Sequence, residues 1–384
     1  MTRLITKCLV TLNLLAAATS SHAASFGKTP GQFNVSPVGA AQYSIPIWVP
    51  PGPKGIQPHL AISYDSNAGV GPLGIGWSIT GLGAISRCNK TYAQDTVPAV
   101  VSLQTTDGYC LNGNRLRLTS GNYSAAGSTY QTEIANFSQV TANGATGNGP
   151  SSFTVKGKDG LTYQYGFTDA NGNGANSQVA AGGTAYIWYL SKVIDRAGNN
   201  MVINYVAPNG TTLAGTSVPD TILWTPTSAG ASSYTYSLKF NYTTNVPQSS
   251  LAKYLAGNPV LNAELLSSIA ISNQGTLIKE YFMGYQSSPT TGRYELNWFK
   301  ECADSAQSNC LLATGVSYQN GTTGLSSTAS TALTSSGPGL AARYDLNGDG
   351  IPDLVYNNAG STVYVAFGSK AGGYGTPINT GLPF

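Results

Sequence analysis

The chain has 384 residues, enough for two or three domains, and only 9% of them are charged, whereas 46 are glycine and 23 are tyrosine. This composition is typical of β-sheets joined by many turns. The net charge is only +3 and no cluster of lysine or arginine occurs, which excludes the basic surface of a nucleic-acid-binding protein.

The amino terminus has the pattern of a signal peptide, which we assign to residues 1–23. Arg3 and Lys7 form a short basic region, residues 8–18 are mostly apolar, and Ser21-His22-Ala23 supplies the small residues of a cleavage site. We therefore expect a bacterial protein that is exported by the Sec route through the periplasm and secreted. No later apolar run is long enough to span a bilayer, so we expect no stable membrane insertion.

Loss of Cys8 with the leader leaves four cysteines, an even number that suits an oxidising compartment. Three pairings are possible. We favour disulfides Cys88–Cys110 and Cys302–Cys310, because each closes a local loop. A zinc site built from all four cysteines would need closely spaced pairs, which the sequence lacks.

The first strands are predicted by alternation in "QYSIPIWVP" and "LAISYDS". Gly69, Gly71 and Gly74 then match the G-x-G-x-x-G fingerprint of dinucleotide-binding proteins, and Asp95 lies where a ribose-binding acid would be expected. That fingerprint must open a helix, but further glycines interrupt the segment too often for one to form. We expect these glycines to let strands turn and pack closely.

Glycine-containing turns between apolar segments predict a series of hairpins, at Asn112-Gly113, Asp159-Gly160, 195–199 and 273–275. Two segments have helical patterns, "SSLAKYLAGN" and "NAELLSSI", and we expect about two turns of helix in each. Residues 318–339 are rich in serine, threonine and glycine without apolar periodicity, which predicts a linker.

The segment "RYDLNGDGIPDLVY" carries the strongest local motif. Alternating oxygen-bearing side chains around a tight turn suit calcium, a hard cation. The predicted ligands are Asp345, Asn347, Asp349, the carbonyl of Ile351 and Asp353. Strands rather than helices flank the loop, and Tyr356 stands where an EF-hand has its glutamate, so we predict a structural calcium hairpin; a metal-free turn is the alternative. "DANGNG", at 169–174, is predicted to be a plain loop.

The sequence gives little support for catalysis. After loss of His22 with the leader, His59 is the only histidine, and no nucleophile or phosphate-loop motif occurs. We predict that the protein is not an enzyme. Sugar stacking by tryptophan is possible, but core or interface packing is the favoured interpretation for Trp48, Trp77, Trp188, Trp224 and Trp298.

Residues 39–88, "GAAQYSIPIWVPPGPKGIQPHLAISYDSNAGVGPLGIGWSITGLGAISRC", resemble the opening of the SpvB/TcaC-type amino-terminal domain of Salmonella virulence plasmid B proteins and insecticidal toxin-complex B components. "DGYCLNGNRLRL", "FTVKGKDGLTYQYG", "WYLSKVIDRAGNNMVINY" and "ELNWFKECADSAQSNCL" resemble its later landmarks, and "AARYDLNGDGIPDLVY" is similar to an FG-GAP repeat. The resemblance implies an all-β protein, with a sandwich-like shell domain over 24–317, the linker, and an incomplete propeller blade over 340–384.

The resemblance also implies a function: an exported, non-catalytic scaffold of an Rhs-like or toxin-complex-like protein in virulence or bacterial competition. Its β-shell and propeller would serve toxin encapsulation or delivery. Its partners would be further propeller or Rhs segments, or a toxin-complex protein. No segment corresponds to the ADP-ribosyltransferase of the Salmonella protein, so that activity is not expected. The alternatives are a secreted adhesin that binds carbohydrate or protein and, less favoured, a secreted hydrolase.

Overall fold

A computed structural model describes residues 27–206, 217–228, 231–243, 253–260, 264–319, 321, 342–357 and 362–383. The predicted signal peptide and nearly all of the predicted linker lie outside these residues. The chain divides into two compact units, Met1–Tyr318 and Gln319–Phe384. Strands are the main secondary structure of the described residues and helix is nearly absent from them, which confirms the all-β prediction. None of their helices is long and apolar enough to cross a membrane.

The described residues of the first unit form twenty-four strands, one 3-10 turn at Pro53–Gly55 and one helical turn, α1, at Tyr92–Asp95. In chain order the strands are β1 (Gln32–Val35), β2 (Ala41–Ile47), β3 (Leu60–Asp65), β4 (Val70–Gly71), β5 (Gly74–Ile75), β6 (Trp77–Thr80), β7 (Ala84–Cys88), β8 (Gly108–Leu111), β9 (Asn114–Ser120), β10 (Thr129–Thr132), β11 (Gln139–Asn143), β12 (Ser152–Lys156), β13 (Thr162–Tyr165), β14 (Gln178–Ala181), β15 (Thr184–Ile194), β16 (Asn200–Val206), β17 (Val218–Pro226), β18 (Tyr234–Thr243), β19 (Lys253–Leu255), β20 (Asn258–Val260), β21 (Leu265–Asn273), β22 (Thr276–Ser287), β23 (Tyr294–Cys302) and β24 (Thr314–Gly315).

Most of these strands belong to one large antiparallel sheet, which contains β7 to β18 and β21 to β24. The eleven residues of β15 allow it to pair with β7 through Ile187–Tyr189 and with β13 through Leu190–Ile194. Strands β7 to β13 therefore form a closed ring with β15, and β16 to β18 followed by β21 to β24 continue the sheet away from it. The result is a barrel-like shell.

A smaller sheet of order β1-β2-β3-β6 packs its apolar face against the large sheet. Ile45 and Ile62 of the small sheet are fully buried in the same hydrophobic cluster as Ile222 and Leu238 of the large one. The proline-rich loop between β2 and β3 is also held there, because the Trp224 indole N–H donates to the carbonyl oxygen of Pro50 at 3.2 Å. One continuous core thus joins the two sheets.

Both predicted helices are wrong. Lys253–Leu255 forms β19, which pairs with β20, and Leu265–Asn273 forms β21. Strand β21 lies between β18 and β22, so its backbone groups are paired on both sides and alternate side chains such as Ile269 and Ile271 are fully buried. These nonlocal contacts outweigh a local helical preference of a few tenths of a kcal/mol per residue.

The glycine fingerprint forms a hairpin, as expected for architectural glycines. Val70–Gly71 pairs with Gly74–Ile75, and β6 follows directly. Gly74 has φ of +87°, and a Cβ atom there would lie 2.7 Å from the Tyr294 carbonyl oxygen. Asp95, the candidate ribose ligand, instead forms an ion pair with Arg115. The geometry of a dinucleotide site is therefore missing from this segment.

Over residues 342–357 and 362–383, the second unit forms an antiparallel sheet of β25 (Ala342–Tyr344), β26 (Asp353–Asn357), β27 (Thr362–Ala366) and β28 (Ile378–Pro383), in that order. Its buried side chains include Tyr356 and Ala366, whereas every residue of β28 is exposed. Propeller blades are also four-stranded sheets. Assignment to a propeller stays a prediction.

Candidate functional site

The predicted calcium loop connects β25 to β26, and its first acidic residue organises the turn. Asp345 Oδ1 accepts hydrogen bonds from the backbone N–H groups of Gly348, at 2.8 Å, and Asp349, at 3.1 Å. Its second oxygen, Oδ2, accepts the N–H of Gly350 at 2.9 Å. One carboxylate thus satisfies three main-chain donors in a compact exposed loop.

Asp353 has a different environment, because its side chain is fully buried. Its Oδ2 atom accepts the Leu346 N–H and its Oδ1 atom accepts the Gly368 N–H, both at 2.8 Å. The carboxylate therefore ties the loop to the turn that follows β27. These bonds give Asp353 a structural role within the second unit.

The loop has donor atoms that suit calcium, but its carboxylates are not arranged around a common point. All five predicted ligands offer hard oxygen atoms, which calcium prefers. However, the described residues contain no group of three or more histidine, cysteine, aspartate or glutamate side chains placed to hold a metal ion. The structure puts the predicted ligands in one loop without converging its carboxylates, and calcium binding stays a prediction.

Other aspartates close turns in the same way, although sequence reasoning identified only the turns. Asp195 Oδ1 accepts the N–H groups of Ala197 and Asn199, and its Oδ2 accepts the Asn199 side-chain amide at 2.7 Å. The hydrogen bond from the Asn199 side-chain amide is the main cause of the lowered pKa of Asp195. Asp169, in the predicted plain loop, accepts equivalent bonds from Asn171 and Asn173. These carboxylates stabilise hairpins.

Arg87 and Asp107 form a buried ion pair in the first unit. Arg87 Nη1 lies 3.1 Å from Asp107 Oδ2, and the two side chains are 0% and 4% exposed. The guanidinium also donates to the carbonyl oxygens of Ala185 and Asn148, each at 2.8 Å. Asp107 Oδ1 in turn accepts the N–H and hydroxyl of Ser102.

This network joins β7 and β15 to two loops, and its groups have hydrogen-bond partners, so it is built for stability rather than for chemistry. No sequence motif predicted this network. The signal was the alternation in β7, which puts Arg87 on the same face as the fully buried Ile85. A charge at an inward position requires a partner.

The cysteines form the two favoured disulfides. Cys88 bonds to Cys110 with an S–S distance of 2.05 Å, and Cys302 bonds to Cys310 at 2.00 Å. The first joins neighbouring strands β7 and β8, and the second closes a loop that follows β23. His59, the only candidate catalytic base, is exposed at the residue before β3.

The tryptophans divide into two groups. Trp77, Trp188 and Trp224 are buried in the core. Trp48 is 48% exposed, with the Lys279 ammonium 4.8 Å from its ring centroid, and half-buried Trp298 has Lys300 above it at 5.4 Å. The prediction of core packing is therefore confirmed for Trp77, Trp188 and Trp224.

The barrel-like sheet, the large core that it shares with the small sheet and its structural polar networks define a class of large β-shell module. Within that class, the family model described as "Salmonella virulence plasmid 65kDa B protein" matches residues 35–262, more than half of the chain. The chain belongs to this family. No curated protein sequence matches it.

Solved structures support the same fold. The chain is similar to the crystal structure of TcdB2-TccC3, with 16% identity and a TM-score of 0.68, over 93% of this chain and 20% of that one. A Tc holotoxin pore of Photorhabdus luminescens matches 93% of the chain and 20% of its own, with 14% identity and a TM-score of 0.65. The amino-terminal domain of the effector SpvB from Salmonella typhimurium strain LT2 is matched over its full length and over 68% of this chain, with 16% identity and a TM-score of 0.52. The chain thus spans about a fifth of the toxin-complex chains.

Proposed function

We propose that the chain is an exported, non-catalytic scaffold module that forms part of the wall of a β-shell in a toxin-complex-like protein. Encapsulation or delivery of a toxic segment, in virulence or bacterial competition, would be the role of the complete shell. The observation that carries the proposal is the structural similarity to TcdB2-TccC3, which extends over 93% of this chain.

The physical properties of the first unit support a wall. A closed ring of strands leaves few unpaired backbone groups, and the continuation through β16 to β18 and β21 to β24 adds a broad antiparallel surface. One core joins this surface to the small sheet, so the unit resists bending between them. The buried charges of Arg87 and Asp107 pair with each other, and the Arg87 guanidinium also donates to backbone carbonyl oxygens within the fold.

The proposal requires partners. Because the chain spans only a fifth of the toxin-complex chains it resembles, we propose that further propeller or Rhs segments, or a separate toxin-complex protein, complete the shell. In the second unit, Ile378 and Leu382 of β28 are 50% and 61% exposed. These apolar side chains would suit packing against a neighbouring propeller blade.

We also propose export through removal of residues 1–23, and a structural calcium ion in the loop of Asp345 to Asp353. The donor chemistry of that loop supports the second proposal. Two of the similar solved structures are a Tc holotoxin pore and the amino-terminal domain of an effector protein.

The test is to tag the chain at its chromosomal locus and to measure the mass of the exported material by size-exclusion chromatography with light scattering. We expect a chain without residues 1–23 in an assembly several times larger than the 39.8 kDa of the chain itself. The chain purified alone serves as the size control. Recovery of only a free monomer, or turnover of a substrate that depends on one carboxylate, would contradict the scaffold role.

A further inference from the structure

Four aromatic side chains lie on one rung across the small sheet. Phe33 of β1 is opposite Tyr43 of β2, Tyr43 is opposite Tyr64 of β3, and Tyr64 is opposite Trp77 of β6. Neighbouring strands are about 4.8 Å apart, so the four residues form a continuous aromatic row. Exposure rises along this aromatic row from 3% at Trp77 to 68% at Phe33.

The aromatic row forms one side of a cleft whose other side is the chain segment 314–318. The cavity has a volume of about 470 Å³, within the range of small-molecule sites. Thr314 and Ser317 add hydroxyl groups to the aromatic surface, and none of the described residues that line the cleft is charged. The cleft therefore combines ring faces with neutral hydrogen-bonding groups.

The rings are held in place by the surrounding structure. The Trp77 indole N–H donates to the Tyr318 hydroxyl at 2.8 Å, and that hydroxyl donates to the Leu296 carbonyl oxygen at 3.0 Å. Gly31 allows Tyr43 to lie close to the backbone, because a Cβ atom at Gly31 would be 2.1 Å from the Tyr43 hydroxyl oxygen. Burial raises the pKa of Tyr318 to about 12, so the cleft stays uncharged near neutral pH.

We propose that this cleft binds a neutral oligosaccharide. Sugar rings present apolar C–H surfaces, which stack on aromatic faces, and they carry hydroxyl groups at their edges that match the hydroxyls of segment 314–318. A charged ligand would lose hydration there without meeting an opposite charge. Trp77 is only 3% exposed and supports its neighbours from the core, with its ring centroid 5.3 Å from that of Tyr64 and 6.5 Å from that of Tyr43. The ring surface open to a sugar therefore belongs to exposed Phe33 and to the half-buried Tyr43 and Tyr64.

The experiment is calorimetric titration of the full chain with maltotriose, cellotriose and triacetylchitotriose, with a proline-rich peptide and sialyllactose as ligands of other classes. We expect at least one neutral trisaccharide to bind. Phe33→Ala should weaken that binding by about three- to tenfold, the contribution of one stacked ring. Gly31→Ala should weaken it as well, because the new methyl group displaces Tyr43 without removing it.

Phe137→Ala is the matched control, since Phe137 is 80% exposed and lies outside the cleft. It should leave affinity unchanged, and thermal unfolding should show that Phe33→Ala remains folded, because that side chain is mostly exposed. The proposal is overturned if no neutral trisaccharide binds, if Phe33→Ala and Phe137→Ala bind alike, or if only the peptide or the acidic sugar binds. None of these results bears on the scaffold role.

Discussion

Replacing Arg87 with methionine tests whether the buried ion pair stabilises the shell unit. The substitution keeps most of the side-chain length but removes the guanidinium. Asp107, 4% exposed, would then be a buried carboxylate without a counter-charge, and the carbonyl oxygens of Ala185 and Asn148 would each lose a donor. Breaking one side of such a pair costs about 3–5 kcal/mol, a large fraction of a typical folding free energy of about 5–15 kcal/mol.

Urea unfolding followed by circular dichroism measures this loss. With an m value of about 3 kcal/mol/M, the midpoint should fall by more than about 1 M. Arg117→Met is the control, because Arg117 and Glu133 are 46% and 33% exposed and 3.5 Å apart, and an exposed pair contributes about 0–1 kcal/mol. Adding Asp107→Leu to Arg87→Met should recover part of the loss. Equal midpoints for the two arginine variants would refute the reasoning.

Three further predictions concern the disulfides, the tyrosines and the calcium loop. Replacing Cys88 and Cys110 with alanine should lower the unfolding free energy, measured by urea titration, by about 3 kcal/mol. Replacing Cys302 and Cys310 should lower it by about 2.5 kcal/mol, because the loop that this disulfide closes is shorter. The opposite order of the two losses would contradict the loop-entropy account. Burial raises the pKa of Tyr205 well above its ordinary value, so the folded state keeps a proton that the unfolded state loses above pH about 10. The unfolding free energy should therefore be constant below that pH and fall above it by about 1.4 kcal/mol per pH unit for each such tyrosine. Tyr205→Phe should reduce this slope. Calorimetry should detect one calcium ion with a dissociation constant of about 10⁻⁴ to 10⁻³ M, and equal binding by Asp349→Ala would show that the loop is only a turn.

Much of the fold follows from short-range patterns. Strand alternation and Asn-Gly or Asp-Gly turns predicted the hairpins, since both depend on a few neighbouring residues. The density of glycines around Gly74 predicted a hairpin in place of a helix. The resemblance of residues 39–88 to a known family supplied the shell, which periodicity alone does not specify.

The errors arise where distant contacts decide the structure. Leu265–Asn273 has a helical pattern over its first residues, but β18 and β22 pair with both of its edges. The partners of Arg87 lie as far along the chain as Ala185, so spacing could not identify the network. The aromatic row was not predicted for the same reason, because it needs the registers of four strands.

A cryo-electron microscopy map of the exported assembly that contains this chain tests the central claim most directly. The scaffold account predicts a hollow particle in which the ring of β7 to β13 with β15 forms part of a continuous wall, with additional polypeptide enclosed. A map in which this chain projects freely into solvent, or in which no enclosed space exists, would contradict the account.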